Sequence, residues 1–151
     1  MLLEKEISEL EAATAQASKL NTEISKSSVG WHVDHTLKAI SSIHKSLKKS
    51  DPKDYKWRFN WIRSYILIRG SIPRGRGKAP KVSVAKEEIK VEDIHRQIAT
   101  VREMLIEFEK MDAKVHFPHP YFGVLHHRHS RRFLEIHTEH HLKIIREILK
   151  S

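Results

Sequence analysis

Phe133-Leu134-Glu135-Ile136-His137-Thr138-Glu139-His140-His141-Leu142-Lys143-Ile144 lies within a long segment whose apolar residues recur at helical spacing. At about 100° per residue, Phe133, His137, His140, Ile144 and Ile148 fall in one narrow arc, with His141 at its edge about 40° from His137. The pattern predicts a helix over about 126–149, its apolar face built from Phe133, Ile136, Ile144, Ile148 and Leu149. The histidines of that face point into a core. His137 and His141, four residues apart, project from neighbouring turns, where two imidazoles can converge on one metal ion. A lone histidine on an apolar face is ordinarily a core residue with a hydrogen-bond partner. A pair reads differently. Buried imidazole prefers its neutral form, the form that ligates metals. Several such rings otherwise need several separate partners.

Working outward, periodicity predicts a first helix over about 2–25 (Leu3, Ile7, Leu10, Ala17, Leu20, Ile24) and a second over about 31–49 (Val33, Leu37, Ile40, His44, Leu47). Ser27, Ser28 and Gly30 separate them, and Pro52 closes the second. Segment 53–69, with Trp57, Phe59, Trp61, Ile62, Tyr65, Ile66, Leu67 and Ile68, is apolar nearly all round and is read as a short extra helix. Trp57 and Trp61 are expected in the core or at a dimer interface. A basic loop follows over about 70–85, then a helix over about 91–111 with the stripe Ile94, Ile98, Val101, Leu105 and Phe108. Phe117-Pro118-His119-Pro120-Tyr121-Phe122-Gly123 reads as a rigid aromatic turn. Four long amphipathic helices with few strand signals predict an all-α chain: one domain over 1–151, an antiparallel four-helix bundle with its long basic loop between the second and third bundle helices.

Composition sets the outer bounds. The 151 residues are 39% hydrophobic and 31% charged, as in a soluble globular domain. No apolar run approaches the roughly 20 residues of a membrane span, and the charged N-terminal stretch does not look like a secretion signal. With no cysteine in the chain, disulfides and thiolate metal sites are excluded. A cytoplasmic location and no membrane partner are therefore expected. The net charge of +9 supports a competing reading, a non-catalytic basic module for nucleic acid or another polyanion, with Arg74, Arg76 and Lys78 as anion contacts. That reading is not favoured. The loop lacks aromatics for base stacking, and Gly77-Lys78 is followed by Ala79 rather than the hydroxyl residue of a phosphate loop. His126-His127-Arg128-His129 reads as a surface cluster, because adjacent helical residues face different ways.

A third metal ligand has three candidates near the second helix: His32, His35 and His44. Helical angle does not favour His35 among them.

His119-Pro120-Tyr121-Phe122-Gly123, followed by His137-Thr138-Glu139-His140-His141-Leu142, resembles the His-Pro-aromatic-Phe-Gly turn and His-x-x-His-His helix of the DinB-like (YfiT-like) superfamily, in one of its uncharacterised branches. Val33-Asp34-His35-Thr36-Leu37 is similar to that superfamily's histidine-bearing second helix. The likeness covers most of the chain in helix order, although its specific motifs span only about 20 residues. It implies a four-helix bundle whose divalent transition metal, zinc or nickel, is held by His35, His137 and His141. Three histidines with an open fourth position are the ligand set of a catalytic rather than a structural site. Members include thiol-dependent S-transferases, hydrolases and isomerases. The resemblance thus implies an unidentified small molecule, a low-molecular-weight thiol among the choices, and a homodimer. His140, Glu139 and Asp34 are candidates to orient the ligands. The chain departs from many relatives at Trp31, where they carry a polar residue, and at Lys143 and Ile144, where carboxamides are frequent.

Overall fold

The computed structural model describes residues 1–74 and 89–151. Over these the chain is mostly helical. In chain order the elements are α1 (Glu4–Ala13), α2 (Val29–Lys49), α3 (Trp61–Arg69), α4 (Val91–Phe108), β1 (His116–His119), β2 (Gly123–His126) and α5 (His127–Lys150), with 3₁₀ turns at Thr14–Gln16 and Pro52–Asp54. α2 packs against α4 and α5, α1 lies on all three, and α3 rests on α5. Among the described residues no helix is long and apolar enough to cross a membrane.

The core follows the stripes. α1 buries Ile7 and Leu10; α2 buries Val33, Leu37, Ile40 and Leu47; α4 buries Ile94, Ile98, Val101, Leu105 and Phe108. α5 contributes Phe133, Leu134, Ile136, Leu142, Ile144, Ile145 and Ile148, while Leu149 is only partly covered. Each fully buried aliphatic side chain contributes about 1.5–3 kcal/mol relative to exposure.

Three segments depart from their periodicity. The helix expected over about 2–25 stops at Ala13. The Thr14 hydroxyl donates back to the Glu11 carbonyl at 2.6 Å, and a 3₁₀ turn tightens the chain. Beyond it, Ala17 and Lys19 turn their carbonyls toward α2 and accept from the Gly30 and Val29 amides at 2.8 and 2.9 Å. Two N–H groups that a helix start leaves without partners are thereby satisfied. The Lys19 ammonium also donates to the Leu149 carbonyl at 3.0 Å, a cation at the negative end of α5.

The expected helix over 53–69 is confined to Trp61–Arg69. The Asn60 side chain caps it, accepting from the Arg63 amide at 2.8 Å, and Gly70 ends it at φ 70°. Its aromatics are not core. Trp57, Phe59, Trp61, Ile62, Tyr65 and Ile68 are all exposed, Trp61 at 78% and Ile68 at 85%. The buried residues are Ile66 and Arg63, whose guanidinium donates to the carbonyls of Val124, Phe122 and Arg58. A charge is tolerated there because its donors are met by backbone oxygens.

The aromatic turn closes a short β-hairpin, a small addition to a chain that is otherwise mostly helical, as the all-α class expects. Phe117 pairs with Leu125, and both are buried; His119 pairs with Gly123 across the loop Pro120-Tyr121-Phe122. Gly123, at φ 64°, supplies the left-handed residue that a three-residue hairpin loop requires. The His119 Nδ1 accepts from the Tyr121 and Phe122 amides at 3.1 and 3.2 Å, and its ring stacks on Phe122 with centroids 4.2 Å apart. Pro118, which has no amide to donate, tolerates this short two-stranded edge.

Gly30 is the point on which the register between α2 and the preceding turn rests. A Cβ there would lie 3.1 Å from both the Cβ and the carbonyl oxygen of Ala17. Gly30→Val is expected to lower stability by about 1–3 kcal/mol by forcing that turn outward. Urea unfolding measures it, and an unshifted midpoint would show that the turn at 17–19 yields freely.

Candidate metal centre

The site is built where the start of α2 crosses the middle of α5. Ser28 caps α2, its hydroxyl accepting from the Trp31 amide at 3.2 Å. With the two amides held by Ala17 and Lys19, the first turns of α2 are anchored on both sides. His32 and His35, three residues apart, therefore emerge from one face toward α5. From α5, His137 and His141 face them.

His35, His137 and His141 each offer one ring nitrogen, and the three lie within 4.8 Å of one another. Their ring centroids stand 5.2 Å (His35–His137), 4.7 Å (His35–His141) and 4.7 Å (His137–His141) apart, at steep interplanar angles. His35 and His141 are buried and His137 partly so. Of the three sequence candidates beside α2, His35 is the one that joins the pair. His44 instead meets Glu107 at 3.0 Å on the α4 side.

The electrostatics keep His137, His141 and their neighbour His32 neutral. Burial, reinforced by the neighbouring His35, pushes the His137 pKa down to about 3. Burial, then the proximity of His137, His35 and His32, drives that of His141 far below the ordinary histidine range. His32 is brought down to about 4 by burial and by His35. The residues fit a cation on a separate ground: the His137 Nδ1 is buried and has no hydrogen-bond partner among the described residues. An uncharged nitrogen donor held out of water without a proton to accept is what a divalent transition ion takes as ligand.

The surroundings are aromatic and aliphatic. Trp31 lies flat on His35, centroids 4.8 Å apart and planes 4° from parallel, and Phe133 stands 5.5 Å from His137. His141 is held by a residue that sequence reasoning treated only as a rival ligand. Its Nδ1 is 2.9 Å from the Nδ1 of His32, whose Nε2 is 3.0 Å from the Ser25 hydroxyl. The signal was legible as the three-residue spacing of His32 and His35. The contact with α5 was not.

The residues expected to orient the ligands have other partners. Glu139 pairs with Arg146 at 2.8 Å, and Arg146 also grips Glu9, tying α5 to α1. Asp34 is bound by Lys38 at 2.7 Å and by the Gln97 side-chain amide at 2.9 Å, tying α2 to α4. Of these contacts, Arg146–Glu9 and Gln97–Asp34 join different helices, while Glu139–Arg146 and Asp34–Lys38 each lie within one. The His140 ring stands perpendicular to that of His141, centroids 5.1 Å apart, and engages the Ile72 backbone. Arg74 forms a two-pronged pair with Glu147 at 2.7 Å, so its guanidinium already has a carboxylate. Arg76 and Lys78 lie outside the described residues.

Comparison with protein-family models, with curated proteins and with solved structures returns no match.

The neutral histidines give the metal-free protein a pH signature. His32, His119 and His129 are lowered to about 4 and His137 to about 3, each chiefly by burial. In the unfolded chain all titrate near 6.5. Below that pH the unfolded chain binds protons that the folded chain refuses. Stability is then highest above about pH 6.5 and falls as pH drops toward 4, by up to about 1.4 kcal/mol per pH unit for each histidine. Urea midpoints at pH 7.5, 6 and 5 measure this above the range where carboxylates titrate, and a flat profile would contradict it.

Proposed function

We propose that this chain is a DinB-like four-helix bundle, formed by α1, α2, α4 and α5, that binds one divalent transition-metal ion, zinc or nickel, on His35, His137 and His141. The observation that carries the reading is the convergence of three shielded ring nitrogens, from two helices a hundred residues apart in sequence, within 4.8 Å. The mutual packing of those four helices and the resemblance of the His119–Gly123 turn and the His137–His141 helix support the bundle assignment.

The reaction class we favour is metal-dependent transfer or hydrolysis on a small molecule, a low-molecular-weight thiol among the substrates. When bound, the ion supplies Lewis-acid chemistry at an open coordination position. The chain's own residues contribute the setting. His137 and His141 present uncharged donors, and His35 faces them from α2. Trp31 and Phe133 exclude water from the flanks of His35 and His137, which strengthens electrostatic contacts within the site. The polyanion reading is weaker, because Arg74 is matched by Glu147.

The homodimer belongs to the same proposal, and the exposed aromatics support it. Trp57 and Phe59, and Phe59 and Trp61, are in ring contact, and Ile62, Tyr65 and Ile68 on α3 are exposed as well. A second copy packed on these residues would remove exposed apolar side chains from water.

Protein purified without an affinity tag is expected to carry about one equivalent of metal per chain by elemental analysis, and His137→Ala/His141→Ala almost none. Zinc at about a hundredfold excess over its dissociation constant should stabilise the wild type by about 2.7 kcal/mol and leave the variant unmoved. Equal metal content in both proteins would sink the reading. For the dimer, light scattering should give twice the chain mass for the wild type and the single-chain mass for Trp61→Asp/Ile68→Asp. A wild type that runs as one chain refutes this part alone.

A further inference from the structure

The contact between His32 and His141 constrains protons as well as positions. Two Nδ1 atoms 2.9 Å apart, on rings kept neutral by burial, hold one proton between them. Either ring can be the donor, and the two cases have opposite consequences. If His32 donates, His141 carries its own proton on Nε2 and has no lone pair left for an ion. If His141 donates, its Nε2 lone pair is available, and His32, accepting at Nδ1, carries its proton on Nε2. That Nε2–H then meets the Ser25 hydroxyl at 3.0 Å. Ser25 is itself fixed, since its hydroxyl oxygen accepts from the Ser27 amide at 3.1 Å.

We infer that His32 is a positioning residue of the metal centre: it accepts the Nδ1 proton of His141 and passes its own Nε2 proton to Ser25, so that the Nε2 of His141 is left bare toward His35 and His137. The role is usually filled by a carboxylate or a backbone carbonyl. Here the acceptor is a neutral imidazole. It fixes the tautomer without adding negative charge, so the ligand set with a divalent ion keeps the full double positive charge. Burial suits this acceptor, because His32 is only 3% exposed and an unpaired carboxylate there would carry a large desolvation cost. Trp31, edge-on to His32 with centroids 5.0 Å apart, limits the tilt of its ring.

The metal half of this inference rests on the three-histidine reading; the tautomer half does not, and the experiment separates them. Ring ¹⁵N spectra of the metal-free wild type should show His141 protonated at Nδ1 and His32 at Nε2. His32→Ala should lose the Nδ1–H form of His141 and weaken zinc binding, measured by chelator competition, about 10–100-fold. His32→Asn, whose side-chain oxygen can stand where Nδ1 stood, should return the affinity to within about threefold of wild type. Ser25→Ala should give an intermediate loss. A cobalt absorption spectrum unchanged between wild type and His32→Asn would show that His32 is not itself a ligand. Circular dichroism melting confirms that each variant folds. The inference is overturned by an Nε2–H tautomer of His141 in the wild type, by equal affinity in His32→Ala, or by an asparagine variant as weak as alanine. If the wild type binds no zinc, the metal reading fails, and the ring spectra still decide the role of His32.

Discussion

An imidazole removed from water must stay neutral, and each of its nitrogens must then find either a proton to accept or a group to donate to. Much of the structure around the crossing of α2 and α5 answers that demand. His141 meets it through His32 and Ser25, and His140 through the Ile72 backbone. His119 meets it by accepting two amides of its own turn. The His137 Nδ1 does not meet it, and it sits beside the two rings with which it can share an ion. The buried, unpartnered Nδ1 of His137 thus contrasts with the Nδ1 of His119, which two amides satisfy.

The helices make this arrangement affordable. α2 is fastened at its start by backbone carbonyls from the turn after α1 and by the Ser28 cap, and along its length by fully buried Val33, Leu37, Ile40 and Leu47. α5 is fastened by Leu134, Leu142 and Ile145 on one side and by the Glu9–Arg146–Glu139 ion pairs on another. Those pairs are partly exposed, so each contributes little on its own to stability. Their effect is directional: they keep α1 from sliding along α5, and hence keep the turn at Ala17 over Gly30.

Long, strongly periodic segments were the legible part. The stripes of α2, α4 and α5 predicted their buried residues because a helix that packs on neighbours must repeat its apolar positions every three or four residues. The pair His137 and His141 followed from the same arithmetic. What periodicity could not see was local competition for backbone groups. Ala17, Leu20 and Ile24 continued the α1 pattern, but Thr14 and the amides of Val29 and Gly30 redirected the carbonyls that a longer helix would have used. The hairpin was hidden because its strands are four residues each and one contains Pro118. The 53–69 segment misled in the opposite sense: apolar residues on every side suggested burial, whereas the structure leaves most of them in solvent. The choice among His32, His35 and His44 required the crossing of two helices distant in sequence, and no local pattern encodes that.

The flat contact of Trp31 on His35 gives the site an optical address. An indole 4.8 Å from a candidate ligand ring, and nearly parallel to it, shares that ring's electronic surroundings. The other two tryptophans, Trp57 and Trp61, are exposed on the single chain and lie on the surface assigned to a second copy. In the single-chain form the half-shielded emitter and the two hydrated ones are separable by wavelength. The chain carries a native fluorophore at the one place where ligation, tautomer exchange or ring tilt would change its quenching.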